Sequence, residues 1–367
     1  MSSLIIIKKP KCLKYICLYI LLRVINQYFL FNPTKETLAN QFFNALLTYI
    51  FGLLSIFVFL YQKKYKQLNN NLFQNENLQS DKYKYYIYFL LFCCSIAHYF
   101  GANISYYNWV YSSNMKKIND FFLSNLETMI YFFSYYINEK YILNMEIHIH
   151  HIIAIELNIV ISIIIMIISI DFQIVKFYSF IFIIIIASES MYLNSLSYII
   201  LKKLNYEFFE NIFLIYFYRN ICGIIISLIV FFFHSNIYID SCQLLYTFFY
   251  FLIIFIRNIL ELLIIEKTRP SYLMILHVLY YYIKDMVNFF EKSDKMTYKH
   301  SFFYFIFYII LYLLLIIGIC IYLEIIILNF CDLNLFTNYK ISERGEDEKI
   351  QAFIKNNESS FSIIKDN

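Results

Sequence analysis

Three histidines, His148, His150 and His151, open a long apolar segment, and a second apolar segment behind the polar turn Asp171–Gln173 carries Glu189, Ser190 and Asn194. Imidazole is the side chain suited to taking or giving a proton near neutral pH, so His150 and His151 are the candidate catalytic residues. A carboxylate among isoleucines is costly in an apolar layer and is kept by pairing, by water or by function. Arg219 lies near the middle of another apolar run. Glu189 and Arg219 each stand roughly 11 to 16 residues into their helices, so a pair at one depth is expected between them. With His98, Ser190 and Asn194 they form the candidate set for holding a polar headgroup.

Plainer roles stand beside these. Ser162, Ser197, Ser227 and Gly223 suit helix–helix packing in a membrane. His98 serves equally as a packing histidine. His148 and Lys140 fit an interface, and Arg257 with Glu261, one turn apart, reads as a structural ion pair.

The elements that must position these residues are membrane helices. The hydrophobic fraction is 60% and the mean hydropathy is +0.59, too apolar for an ordinary soluble domain. Many runs reach the roughly 20 residues that cross a bilayer. The alternating ten-residue segments of a membrane barrel are missing. The expected fold is all-α, a polytopic bundle of eight to nine spans. Clear spans are expected at 41–61, 85–111, 118–137, 148–170, 174–201, 208–233, 243–265 and 302–328. Residues 12–31 carry Lys14 and Arg23 and read as a poor span or an interfacial helix. Segment 266–301 reads as cytoplasmic and amphipathic, and the charged tail 329–367 as disordered.

The net charge of +4 leaves no nucleic-acid patch. The eight cysteines show no CxxC pair, so neither a disulfide framework nor a zinc site is suggested, and no cofactor or metal is expected. A cleaved signal peptide is disfavoured by Arg23. Lysine counts place the N-terminus, the 62–84 and 138–147 loops, Lys202–Lys203 and 266–301 on one, cytoplasmic side. Abundant Ile, Phe, Tyr, Asn and Lys suit AT-rich codons, so aromatic stripes carry little weight.

Helical periodicity groups the polar residues. His151, Asn158 and Ser162 form one stripe. Others are Glu127, Tyr131, Ser134 and Asn138; Ser95, His98, Ala102 and Ser105; Ser190, Asn194 and Ser197; and Arg219, Gly223 and Ser227. Five consecutive spans each turn one polar or small face to a common interior.

The ordered set of Ser95-x-x-His98, Tyr131-Phe132-Phe133, His150-His151, Glu189-Ser190-x-x-x-Asn194 and the internal Arg219 resembles the TLC-domain family, which includes the ceramide synthases. The resemblance covers about residues 83–265. It implies a six-helix membrane core around a central cavity, with 1–82 and 266–328 flanking it. Ceramide synthases carry H-D-x-x-D after the His-His span. Here Glu189-Ser190-Met191-Tyr192-Leu193 stands instead, closer to the non-ceramide-synthase branch. That branch usually has an aspartate after its Tyr-Phe element, where this chain has Ser134 and Tyr135.

The leading functional reading is an integral membrane protein of lipid composition or lipid handling, binding a lipid or acyl chain in the bundle. The alternative is an N-acyltransferase using acyl-CoA and a long-chain base, so whether a reaction is catalysed stays open. A transporter or channel ranks last, since internal repeats and Pro-broken helices are absent. The resemblance implies the endoplasmic reticulum or another secretory-pathway membrane, with the plasma membrane as the alternative.

Overall fold

Long runs of Ile, Leu, Phe and Tyr, almost free of Gly and Pro, leave the backbone no way to satisfy its polar groups in lipid except as helices. A computed structural model describes residues 5–7, 12–28, 38–66, 81–114, 120–145, 148–169, 177–208, 211–232, 244–292, 302–328 and Thr337. The turn Asp171–Gln173, the 234–242 loop and the tail 329–367, except for Thr337, lie outside these residues, as do the side chains of Ser105 and Trp109.

The helices are α1 (Leu13–Tyr28), α2 (Leu38–Gly52), α3 (Ser55–Lys66), α4 (Asp81–Asn114), α5 (Asp120–Ile142), α6 (Ile149–Ser169), α7 (Phe177–Glu207), α8 (Ile212–Phe232), α9 (Leu244–Lys267), α10 (Leu273–Lys292) and α11 (Phe302–Tyr322). A 3-10 turn, Pro270–Tyr272, joins α9 to α10. Two short strands, β1 (Ile5–Ile7) and β2 (Ile326–Leu328), pair antiparallel, with Ile6 opposite Ile327. The chain is the all-α polytopic bundle its composition dictates. Among the described residues six segments are long and apolar enough to cross a membrane: Phe43–Lys64, Lys84–Ile104, Ile149–Ile168, Ile184–Glu207, Ile212–Val230 and Phe248–Lys267. The first is one span interrupted between α2 and α3.

Contacts at one end of the bundle fix the direction of each helix. Lys267 at the end of α9 donates to the Tyr15 hydroxyl at the start of α1 at 2.9 Å. Lys202 near the end of α7 donates to the Ile265 carbonyl at 2.6 Å. Asn211, just before α8, donates to Gln62 near the end of α3 at 2.7 Å. The Ser271 N–H donates to Glu139 near the end of α5 at 3.0 Å. Tyr86 near the start of α4 meets Phe208 just past α7, and Tyr272 bonds the Leu323 carbonyl just past α11. Among the described residues the chain therefore runs back and forth ten times, with α2–α3 as one pass.

Within segment 266–301, expected as a cytoplasmic amphipathic stretch, helix α10 packs into the bundle, though it is not among the six segments apolar enough to cross. The helix runs antiparallel to α11, from the Tyr272–Leu323 contact to the ring contact of Tyr282 with Tyr312 at 5.4 Å. Leu273, Met274, Leu276 and Val278 of α10 join the same buried core as residues from α1, α5, α7 and α8. Segment 12–31 is likewise drawn in as α1, with Cys12, Ile16 and Tyr19 buried.

The polar stripes face inward where their side chains are described. Glu127, Ser134, Asn138, Asn158, Ser162, Ser190, Ser197, Arg219 and Ser227 are all buried. The helices approach closely at glycines. Gly101 of α4 lies against Asn194 of α7, and its carbonyl accepts the Ser190 hydroxyl at 3.0 Å.

Candidate functional site

Seven of the passes leave a cavity of about 340 Å³ between them. Charged and polar side chains reach it from every side. Tyr19 and Arg23 come from α1, Thr48 from α2, His98 from α4, Tyr131 from α5, and Asn194 and Tyr198 from α7. Arg257, Asn258 and Glu261 come from α9, and His277 and Tyr281 from α10. On α1, α7, α9 and α10 these positions recur at helical spacing, so each of those helices turns one polar stripe to the cavity.

Most of these groups are held by a partner behind them. The Tyr49 hydroxyl and His98 Nδ1 are 2.9 Å apart. Tyr198 donates to Glu261 Oε2 at 2.5 Å, and Tyr281 donates to Glu127 Oε2 at 2.5 Å. Asn258 donates to the Tyr216 hydroxyl at 3.0 Å. Arg23 lies over the Tyr280 ring, 3.7 Å from its centroid, and reaches the Tyr19 hydroxyl at 3.4 Å. Among the described residues, two buried nitrogens in the wall, Arg257 Nε and His277 Nε2, have no hydrogen-bond partner. Two guanidiniums thus face one lining carboxylate, Glu261, which already accepts from Tyr198. A concave, partly polar space with an unused guanidinium donor suits an anionic group attached to an apolar body.

The expected ion pairs are not the ones present. Glu189 is exposed on the outer face of α7, whereas Arg219 is 1% exposed inside the bundle. Equal depth did not bring them together, because Ser190 takes the inward position on α7 and Glu189, about 100° around the helix, then points away. Arg219 instead lies over the Tyr216 ring at 4.3 Å, and its Nε and Nη1 have no hydrogen-bond partner. Arg257 and Glu261 form no ion pair within 4.0 Å either; both turn to the cavity.

Of the residues singled out from sequence, His98 and Asn194 line the cavity, and Ser190 sits behind its wall at the α4–α7 contact. His150 and His151 do not line it. They stand at the opening of α6, 3% and 4% exposed, with ring centroids 3.9 Å apart. Their neighbour is Glu324, just beyond α11, whose Oε1 is 3.5 Å from His150 Nε2. His148 donates its backbone N–H to His151 Nδ1 at 3.2 Å. His151 thereby does at the third helical position what glutamate does in a capping box.

Sequence reasoning treated Arg23 as a flaw in a weak span, and did not reach His277, Tyr281 or Glu324. Arg23 carried a readable signal: a charge in an apolar run marks function by default. Glu324 carried none, as it follows a helix with no polar stripe pointing to it.

Compared with models of known protein families and with curated proteins, the chain matches none.

Proposed function

We propose that this integral membrane protein handles a membrane lipid, binding an anionic headgroup in the central cavity with its apolar chains among the helices. The observation that carries the reading is the cavity itself, where Arg23 and Arg257 outnumber Glu261 and Arg257 Nε has no hydrogen-bond partner. An arginine held this deep needs a counter-charge or water, and a phosphate or carboxylate head supplies the first. His98, fixed by Tyr49, and Asn194 would add neutral donors or acceptors. The TLC-type resemblance implies a cavity within residues 83–265, whereas this one is lined in part by α1, α2 and α10 and by neither α6 nor α8, so the reading rests on the cavity and not on the resemblance.

The test is native mass spectrometry with lipid extraction on protein purified in mild detergent, wild type beside Arg257→Gln and His98→Ala. The expected result is one co-purifying anionic lipid class, reduced at least tenfold in Arg257→Gln at unchanged thermal stability. Equal lipid content in wild type and variant overturns the reading.

A second reading, N-acyl transfer from acyl-CoA, is favoured by one observation: an imidazole, His98, lines the cavity and could take a proton from an attacking amine. His150 and His151, lying outside this space, would not perform that step in it. Amide formed from acyl-CoA and a long-chain base by the wild type, and not by His98→Ala, would establish this reading.

A further inference from the structure

We propose that His150, His151 and Glu324 form a binding site for one divalent transition-metal cation. One ligand atom from each lies within 4.8 Å of the other two, and all three residues are buried. The inference does not rest on the lipid reading, since none of the three touches the central cavity.

Three observations converge on a cation. First, neither ring nitrogen of His150 has a hydrogen-bond partner, although the residue is 3% exposed. A buried imidazole with both nitrogens idle is expensive unless something else occupies one of them. Second, the 3.5 Å between His150 Nε2 and Glu324 Oε1 is long for a hydrogen bond. It matches the edge of a tetrahedron whose centre lies about 2.0–2.2 Å from each ligand, which is about 3.3–3.6 Å.

Third, the backbone at Glu324 is one that glutamate would not choose. Glu324 has φ 55°, in the left-handed region. The Ile325 N–H donates to the Cys320 carbonyl at 2.9 Å, and the Glu324 N–H to the Ile321 carbonyl at 3.0 Å. These two bonds are the Schellman pair that ends a helix, and they put Glu324 at the position normally given to glycine. A side chain kept there against its own conformational preference is kept for what it reaches, and it reaches His150.

His151 can join the set at small cost. Its Nδ1 accepts the long 3.2 Å bond from the His148 N–H. Ligation through Nδ1 replaces that bond. Ligation through Nε2 moves the ring proton to Nδ1 and also breaks it. Either way one weak bond is exchanged for a metal–imidazole bond. Two imidazoles and one carboxylate select zinc, iron(II), cobalt(II) or manganese(II) over magnesium or calcium, which prefer oxygen alone. Three protein ligands leave a fourth position for water or for a further group. The bound ion would tie the start of α6 to the end of α11, directly ahead of the β1–β2 pair.

The experiment uses the full chain in detergent, stripped with a chelator and then titrated with cobalt(II) and, separately, with zinc(II). Wild type is expected to bind about one equivalent, to show cobalt d–d bands without thiolate charge transfer, and to unfold at higher temperature with zinc. Glu324→Gly removes the carboxylate while placing the favoured residue in the left-handed position, so it should fold at least as well. It is expected to lose the bands and the zinc response, and His150→Ala should lose them too. Absent bands and no zinc response in wild type overturn the site. So does an equal response in Glu324→Gly, or a thiolate spectrum, which would place the metal on cysteine.

Discussion

His98 owes its position to a ring that has no slack. Tyr49 is 1% exposed, bonds His98 Nδ1 at 2.9 Å and stacks on Tyr99. A β-carbon on Gly223 of α8 would come within 2.4 Å of the Tyr49 ring, which cannot bend away as a flexible chain end would. Gly223→Ala is therefore expected to push Tyr49 off His98. The cost should be about 1–3 kcal/mol, as for other overpacked cores. Thermal unfolding in detergent checks it, and a midpoint unchanged from wild type would show that α8 yields instead. At this scale the sequence was legible where a polar residue sits on a helical stripe. His98, Ser190, Asn194, Arg219, Gly223 and Ser227 all face inward as their periodicity implied. It was not legible where two residues could satisfy each other in principle. Glu189 with Arg219, and Arg257 with Glu261, were natural pairs by depth or spacing. Rotation about the helix axis separated the first pair, and in the second Glu261 accepts from Tyr198 instead.

Helix α10 shows how composition misleads at the level of an element. Its mixed run, with Lys284, Asp285 and several tyrosines, reads as a surface helix. In the bundle one face of it packs on α5 and α11, and His277 and Tyr281 enter the cavity. The stripe of His277 and Tyr281 thus faces an internal space instead of solvent. Periodicity alone cannot tell these apart, because both environments ask for the same pattern. The distinction is testable at Leu276, which is 2% exposed and lines the cavity. Leu276→Ala is expected to destabilise the fold by about 2–4 kcal/mol, the usual range for a buried leucine. Chemical unfolding in detergent measures it, and a loss under about 0.5 kcal/mol would place α10 outside the core. The long spans were easier to read, since only a helix can carry such runs through lipid. Helix α1 was obscured for the opposite reason: Arg23 made it look too polar to enter, yet the cavity and the Tyr280 ring receive that charge.

The parity of the passes decides the topology of the whole chain. Among the described residues, if α5 and α11 cross along with the six apolar segments, the count is ten when α1 and α10 both cross, eight when neither does, and nine when one alone does. An odd number would put β1 and β2 on opposite faces of the membrane. The pairing of Ile5–Ile7 with Ile326–Leu328 requires them on the same face. The contacts of α1 with Lys267 and of α10 with α11 favour ten, because both helices start at the end where β1 and β2 meet. The same end gathers Lys14, Lys64, Lys84, Lys140, Lys202, Lys203, Lys267 and Arg269, all at helix ends. Lysine and arginine beside spans favour the cytoplasmic face. Reporters fused at the N-terminus and at the C-terminus should therefore both read cytoplasmic, by protease protection in sealed microsomes. Opposite readings would mean that only one of α1 and α10 crosses, and the strand pair would then have to be abandoned. Two luminal readings would keep the pair and reverse the bundle, setting the lysine-rich end against the charge rule.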